Sequence, residues 1–392
     1  MERRGKSVKY GRSNKVCCEV TEALKLFEPF QLGALTLPNR IVRSATYEKM
    51  GDEDGFVTEQ LIGMYEDLAR GGAGLIITGN ALVHTTGRSV PQQICIHNDF
   101  YIKKLKLLSD AVHALGKTII LQLAHGGRQS FPSLLAGRSP IAPSPVYEPT
   151  LKLTPQEMTH EDVWDMIDAF GTASRRAALA GFDGVQIHAA HGYLVNEFLS
   201  PHTNRRDDYW GGDEERRFHF LEEIIIAVRK EAGDGFPVMI KLNAEDFISG
   251  GLDVYESLRI ALRLQNMDIT AIEVSGGMYE AGQVTVKPGI QTIEQEAYFR
   301  RFSRQFKQAL QVPVMLVGGF KSRALMEEVL QTDDADLISL SRTLIREPDL
   351  PNLMHAGKEK ADCISCNGCL RFFRIPFTHC VALAKEQKKG SG

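Results

Sequence analysis

Short apolar stretches alternate with amphipathic stretches along most of the chain. Eight runs rich in β-branched or other apolar residues are predicted as strands, at residues 41–45, 74–78, 118–123, 184–188, 238–243, 271–275, 314–317 and 336–340. Helical periodicity lies between them at residues 58–70, 100–115, 159–180, 213–232 and 254–265. The third of these helices begins with Thr159-x-x-Asp162, which predicts a capping box. Strands that alternate with helices of this length form parallel βα units. Eight such units predict a single α/β domain, a (β/α)8 TIM barrel, since an open sheet would carry an early Gly-x-Gly-x-x-Gly turn.

Two long loops interrupt this rhythm. Residues 124–158 follow the third strand and are rich in Gly, Pro and Ser, and residues 276–298 follow the sixth strand. Loops after barrel strands shape the mouth of the site. Residues 27–40 predict a hairpin that covers the barrel floor. We therefore expect a disordered basic tail at 1–24, a barrel at 25–358 and a Cys-rich extension at 359–392.

The composition is that of a soluble globular protein, with 43% hydrophobic and 24% charged residues. A formal net charge of −3 creates no field that would attract nucleic acid or an anionic membrane. No apolar run reaches the roughly 18 residues of a membrane span, and the basic N-terminus lacks the apolar stretch of a secretory signal. We expect a cytoplasmic protein with a small-molecule substrate and without nucleic-acid or membrane partners; association into a homo-oligomer stays open.

Two histidines and a tyrosine follow the fourth predicted strand. His188 and His191 are three residues apart, and Tyr193 comes two residues later. Two imidazoles on such a turn can converge on one oxygen atom, and a nearby phenol can deliver a proton. Two other interpretations stay open: a zinc hydrolase site, which would need a third ligand, or a structural role for one of the histidines.

The stretch VQIHAAHGYLVNEFLSPHTNRRDDYWGG, at residues 185–212, closely resembles the old yellow enzyme (NADH:flavin oxidoreductase) family. The resemblance extends over residues 26–349 and includes the segments NRIV and QLAHGGR. It implies an FMN-dependent enzyme that takes hydride from NAD(P)H and passes it from flavin N5 to an α,β-unsaturated carbonyl compound or a related electrophile. It also implies that His188 and His191 anchor the oxygen of that substrate, with Tyr193 as proton donor or positioning group.

FMN requires donors for its phosphate, hydrogen bonds along its pyrimidine edge and a positive group near N1. Gly318 and Gly319 follow the seventh strand, and Ser341 and Arg342 follow the eighth, where barrels bind phosphate. The family more often has glycine at the position of Ser341. The same pocket would serve an aldolase or isomerase that acts on a phosphorylated substrate, with Lys241 as Schiff-base nucleophile.

Two polar residues inside apolar strands complete the predicted cofactor site. Gln122 can donate and accept hydrogen bonds at the flavin pyrimidine edge, and Lys241 can stabilise the reduced flavin near N1. An ion pair between Lys241 and Glu245 or Asp246 is the alternative, because a buried lysine needs a partner. The resemblance also places several residues against the flavin: Ala45, Thr46, Tyr47 and Asn80.

Four of the seven cysteines are clustered near the C-terminus, at Cys363, Cys366, Cys369 and Cys380. The pattern resembles the iron–sulfur stretch of the 2,4-dienoyl-CoA reductase branch, although two residues separate Cys366 from Cys369 where that branch has three. Thiolates at such spacing bind a [4Fe–4S] cluster or zinc. Three interpretations stay open: a cluster, a zinc ion, or reduced cysteines without metal.

Overall fold

The fold is a closed barrel of eight parallel strands, seen in a computed structural model that describes residues 24–390. Each strand pairs with its neighbour in sequence, and β8 pairs with β1 through Ile338 and Ile41, which closes the barrel. The strands are β1 Ile41–Arg43, β2 Leu75–Ile77, β3 Thr118–Ala124, β4 Val185–Ala189, β5 Val238–Asn243, β6 Ala271–Ser275, β7 Val314–Val317 and β8 Leu337–Leu340. The predicted (β/α)8 architecture is confirmed.

Helices connect consecutive strands and cover the outside of the barrel, and the last three helices follow β8. They are α1 Glu59–Arg70, α2 Ile102–His113, α3 His160–Leu179, α4 Leu194–Leu199, α5 Glu214–Ala232, α6 Val254–Gln265, α7 Arg300–Ala309, α8 Arg323–Gln331, α9 Arg342–Arg346, α10 Leu350–His355 and α11 Val381–Gly390. Polar side chains set their starts. Thr58 caps α1, and Thr159 and Asp162 form the predicted capping box of α3. None of the described helices is long and apolar enough to cross a membrane.

A hairpin closes the floor of the barrel. Its strands Phe30–Leu32 and Leu35–Leu37 pair antiparallel, and Gly33 adopts a positive φ of 59° at the turn. Leu32 and Leu37 are fully buried against the lowest inward-facing row of the barrel, which includes Met239. The interior below the site is therefore a packed apolar layer, and the polar chemistry is confined to the opposite end.

Short elements occupy the two predicted loops. The loop after β3 contains the strand Ile141–Ala142, which pairs with Gln156–Glu157, and the 3-10 turns Gly127–Gln129 and Pro132–Leu134. The loop after β6 contains the 3-10 segments Tyr279–Val284 and Ile293–Gln295. Four further short elements are Lys25–Phe27, Thr85–Gly87, Asp99–Tyr101 and Gly368–Leu370, all 3-10 turns, and a two-residue strand is found at Ala81–Leu82.

The predicted bounds agree with the observed ones to within two residues. β1 ends at Arg43 rather than at residue 45, and α2 begins at Ile102 rather than at residue 100, because a 3-10 turn precedes it. The predicted disordered tail falls on residues 1–23, outside the described residues, and on residue 24. The division into tail, barrel and extension stays a prediction.

Candidate functional site

A row of polar side chains crosses the barrel interior above the apolar floor. Lys241 on β5 is in register with Glu273 on β6, and their charged atoms are 3.2 Å apart. Ser44 donates to Glu273 at 2.6 Å, and Gln186 donates to the other carboxylate oxygen at 2.9 Å. Gln122 in turn donates to Gln186 at 2.7 Å. The predicted Gln122 and Lys241 therefore belong to one continuous network.

Lys241 does have an acidic partner, but it is neither of the two predicted. Glu245 lies toward Arg301 at 3.6 Å, and Asp246 accepts hydrogen bonds from Asn243 and other groups. Although burial opposes ionisation of Glu273, the charge of Lys241 and three hydrogen bonds hold its pKa below the usual value. The prediction considered acidic residues close to Lys241 in sequence. In the barrel, however, alternate side chains of each strand point inward, so that a residue on one strand faces a residue on the adjacent parallel strand.

His188, His191 and Tyr193 form one aromatic cluster at the end of β4. The ring of His188 is 5.1 Å from that of His191 and 4.8 Å from that of Tyr193, edge-on in both cases. Ser275 bonds to Nε2 of His191 at 2.7 Å. His191 adopts a left-handed φ of 64°. The predicted triad is therefore brought together.

Burial keeps both imidazoles neutral. It lowers the pKa of His191 to about 3, with a further contribution from the positive charge of Lys241. Burial also lowers the pKa of His188 well below its usual value, assisted by His191 and Lys241. The Tyr193 phenol has a raised pKa for the same reason, burial, and stays protonated. The cluster therefore presents uncharged groups, each of which can donate a hydrogen bond to a carbonyl oxygen.

A first cavity extends from this cluster to the ends of β7 and β8. Seven predicted residues line it: Ala45, His191, Lys241, Gly319, Ser341, Arg342 and Cys363. The hydroxyls of Ser339 and Thr343 also face it, and neither has a hydrogen-bond partner within residues 24–390. Buried polar atoms without partners indicate a place for a polar ligand.

The remaining predicted cofactor residues surround this cavity without lining it. Thr46 bonds to Ser341 at 2.8 Å, and the Tyr47 hydroxyl donates to the carbonyl oxygen of Pro91. Asn80 lies 3.5 Å from the Tyr193 hydroxyl and has a buried side-chain oxygen for which the described chain offers no partner. Gly318 precedes Gly319, whose φ of 76° requires glycine.

A second cavity also has His191 in its wall. Polar side chains line part of it, among them Ser89, Gln129 and Tyr193. Aromatic and aliphatic side chains also line it and come from three segments: the loop after β3, the loop after β6 and the Cys-rich extension. Because His191 lines both cavities, ligands in both could contact the same imidazole.

The four C-terminal cysteines line one small cavity. Cys363 and Cys369 are buried, Cys380 is half-buried, and Cys366 is exposed. No set of three or more His, Cys, Asp or Glu side chains in the described part of the chain is close enough to hold a single metal ion. Asn367, which also lines this cavity, accepts a hydrogen bond from Arg342 at 2.5 Å.

Several site residues were missed from the sequence. Glu273 could have been found in the same way as Lys241, because it too is a charged residue inside an apolar strand. Ser44 directly precedes the predicted 45–47 stretch. Ser275, Ser339 and Thr343 gave no such signal, because serine and threonine are common at strand ends and only the tertiary structure turns them toward the cavity.

Residues 25–361 match the model of the NADH:flavin oxidoreductase / NADH oxidase family. The NADH oxidase of Thermoanaerobacter brockii is 35% identical over 355 residues, which cover 90% of this chain and 54% of that protein. The NADPH dehydrogenase of Geobacillus sp. (strain WCH70) is 37% identical, over 87% of this chain and 96% of that protein.

A solved old yellow enzyme homologue from Zymomonas mobilis superposes with a TM-score of 0.75 and 27% identity, over 87% of this chain and 95% of that one. The chain spans about half the length of the first curated relatives that it matches, 54% in both cases. The barrel, the polar site at its carboxyl end and these likenesses agree with the resemblance seen in the sequence: the chain belongs to the NADH:flavin oxidoreductase / NADH oxidase family, the old yellow enzyme family, whose cofactors are FMN and NAD(P)H.

Proposed function

We propose that the chain is an FMN-dependent NAD(P)H oxidoreductase that reduces the C=C bond of α,β-unsaturated carbonyl compounds or related electrophiles. The position of His191 on the walls of both cavities supports this function most directly. A flavin in the first cavity and an acceptor in the second would meet beside this imidazole. Bound FMN supplies the hydride chemistry, since it takes a hydride from NAD(P)H and returns it to the acceptor.

The residues of the first cavity fit FMN. Arg342 can make a charge-assisted bond to the phosphate, and the unpartnered hydroxyls of Ser339 and Thr343 suit its many oxygens. Gly319 allows the backbone to approach closely. Lys241 would lie at the ring, where its charge favours the reduced form. We assign the other predicted residues to the surroundings of the flavin: Ala45, Thr46, Tyr47, Asn80, Gln122, Gly318 and Ser341.

His188 and His191 would donate hydrogen bonds to the acceptor carbonyl and draw electron density from the conjugated double bond. The β-carbon then accepts the hydride, and the Tyr193 hydroxyl gives a proton to the α-carbon. One NAD(P)H is oxidised for each saturated carbonyl product. NAD(P)H in the first half-reaction and the acceptor in the second would occupy the same cavity in turn, and we therefore expect ping-pong kinetics. The pairing of Lys241 with Glu273 disfavours the alternative Schiff-base aldolase.

The test is spectroscopic. Protein purified with FMN should show a flavin absorbance band that bleaches on addition of NADPH or NADH and returns on addition of an α,β-unsaturated ketone. His188→Ala combined with His191→Ala should retain FMN but lose the spectral shift caused by phenols. His113→Ala, an exposed histidine on α2, is the matched control. A double variant that still shows the phenol shift would remove the anchoring role.

We also propose that the four cysteines bind a [4Fe–4S] cluster. They share one cavity, yet no three of the described ligand-type side chains converge as a single zinc ion would require. Anaerobic purification followed by iron and acid-labile sulfide analysis tests this assignment. Protein that contains one zinc and no sulfide, or no metal at all, would contradict it.

A further inference from the structure

We propose that residues 370–373 of the Cys-rich extension form a fixed outer wall of the second cavity, in which the acceptor would bind. We further propose that this wall selects flat, ring-bearing acceptors over short-chain ones. The inference rests on the proposed function and adds a substrate class and a specificity element. Leu370, Phe372 and Phe373 line the same cavity as His191 and Tyr193, although they are far from them in sequence.

The wall is aromatic, and one of its rings is exposed. Phe373 is 65% exposed and meets Phe131 of the loop after β3 edge-on at 5.2 Å. Phe372 meets Tyr47 edge-on at 4.8 Å. Tyr279 of the loop after β6 lines the same cavity and is 54% exposed. Exposed aromatic rings in the lining of a cavity offer a flat ligand stacking and edge contacts that a short aliphatic ligand cannot reach.

The cavity has an orientation. Its hydrogen-bonding groups His191, Tyr193 and Gln129 are buried or half-buried, whereas the rings of Phe373 and Tyr279 are exposed. An acceptor that places its carbonyl at the imidazoles would therefore extend its far end between the aromatic side chains. This arrangement should bind most tightly a molecule that has a polar group at one end and a planar apolar body.

The wall is held in place by the loop that follows β1. Lys49 donates to the carbonyl oxygens of Phe372 and Ile375, each at 2.8 Å. The Thr378 amide donates to the Glu48 carbonyl at 2.8 Å, and the Thr378 hydroxyl donates to the Tyr47 carbonyl at 3.0 Å. Since these bonds fix the backbone on both sides of residue 373, the wall is preorganised and does not have to close around the ligand.

The test uses two acceptors that differ by one phenyl ring, 4-phenyl-3-buten-2-one and 3-buten-2-one. Phe373→Ala should lower kcat/KM for the phenyl ketone about tenfold, since one lost aromatic contact of about 1.4 kcal/mol corresponds to that factor. The value for 3-buten-2-one should stay within about twofold. Phe373→Leu, which keeps apolar bulk without a ring, should give an intermediate loss for the phenyl ketone. Phe100→Ala, a 74% exposed phenylalanine that does not line the cavity, should change neither value.

The outcomes separate the two proposals. If the reduced wild-type flavin is reoxidised by neither ketone, the proposed function fails and the substrate class fails with it. Suppose that both ketones are reduced, but that Phe373→Ala changes kcat/KM for both ketones by the same factor or changes it for neither ketone. The proposed wall is then overturned, while the proposed function stands. Loss of the discrimination in Phe373→Ala but not in Phe100→Ala, with NAD(P)H-dependent flavin reduction unchanged, supports the wall.

Discussion

Replacement of Glu273 by glutamine should destabilise the protein far more than its single lost charge suggests. The carboxylate is fully buried, and it is the partner of Lys241, whose side chain is only 4% exposed. In Glu273→Gln the ammonium would remain inside the barrel without a counter-charge. Ser44 would still be close to it, because its hydroxyl accepts from Lys241 at 2.9 Å, but a hydroxyl cannot neutralise it.

The magnitude follows from the geometry. Two unit charges 3.2 Å apart attract by about 5 kcal/mol at an effective dielectric constant of about 20. Part of this energy offsets the cost of removing both charges from water, and breaking a buried pair on one side costs about 3–5 kcal/mol. We expect the free energy of unfolding of Glu273→Gln to fall by about that amount at neutral pH. The double variant with Lys241→Met should recover most of the loss, because no lone charge remains.

Urea unfolding of flavin-free protein, followed by circular dichroism, measures these differences. Glu66→Gln, which breaks an exposed ion pair with Arg70, is the matched control and should cost less than about 1 kcal/mol. Because the pKa of Glu273 is lowered from 4.5, its contribution is present above that pH and is lost as the pH falls through the lower folded-state pKa. If Glu273→Gln lowered the free energy of unfolding no more than Glu66→Gln does, the reasoning about the buried pair would be refuted.

Three further predictions concern protonation and backbone conformation. Because His188 and His191 stay neutral, the Kd of an uncharged ketone in a flavin titration should vary less than about twofold between pH 5 and 8; a step near 6.5 would contradict this. Burial raises the pKa of Glu197 to about 8. Stability should therefore fall from pH 4.5 to 8 by at most ~1.4 kcal/mol per pH unit, and urea unfolding of Glu197→Gln should lack that slope. Gly319→Ala should release FMN during gel filtration, because its Cβ would lie 2.3 Å from Ile290, whereas Gly235→Ala, which meets no atom within 4 Å, should retain it.

Local patterns were sufficient wherever one segment decides its own structure. The capping box at Thr159 and Asp162 and the bounds of α6, Val254–Gln265, agree with the prediction because caps and helical periodicity act within a few residues. Helices α7 and α8 were not predicted, although both lie between predicted strands. The short α9 and α10 after β8 were also missed, since their few residues carry little periodicity.

The sequence by itself determined the barrel, its family and the segments that form its mouth, because strand and helix periodicities and the His188–Tyr193 motif are local and repeated along the chain. Only the tertiary structure decided which groups meet. It pairs Lys241 with Glu273, directs Ser339 and Thr343 toward one cavity, and places Phe373 beside Phe131. The physical reason is that such contacts depend on barrel closure and on the register between strands, which bring together residues separated by tens to hundreds of positions.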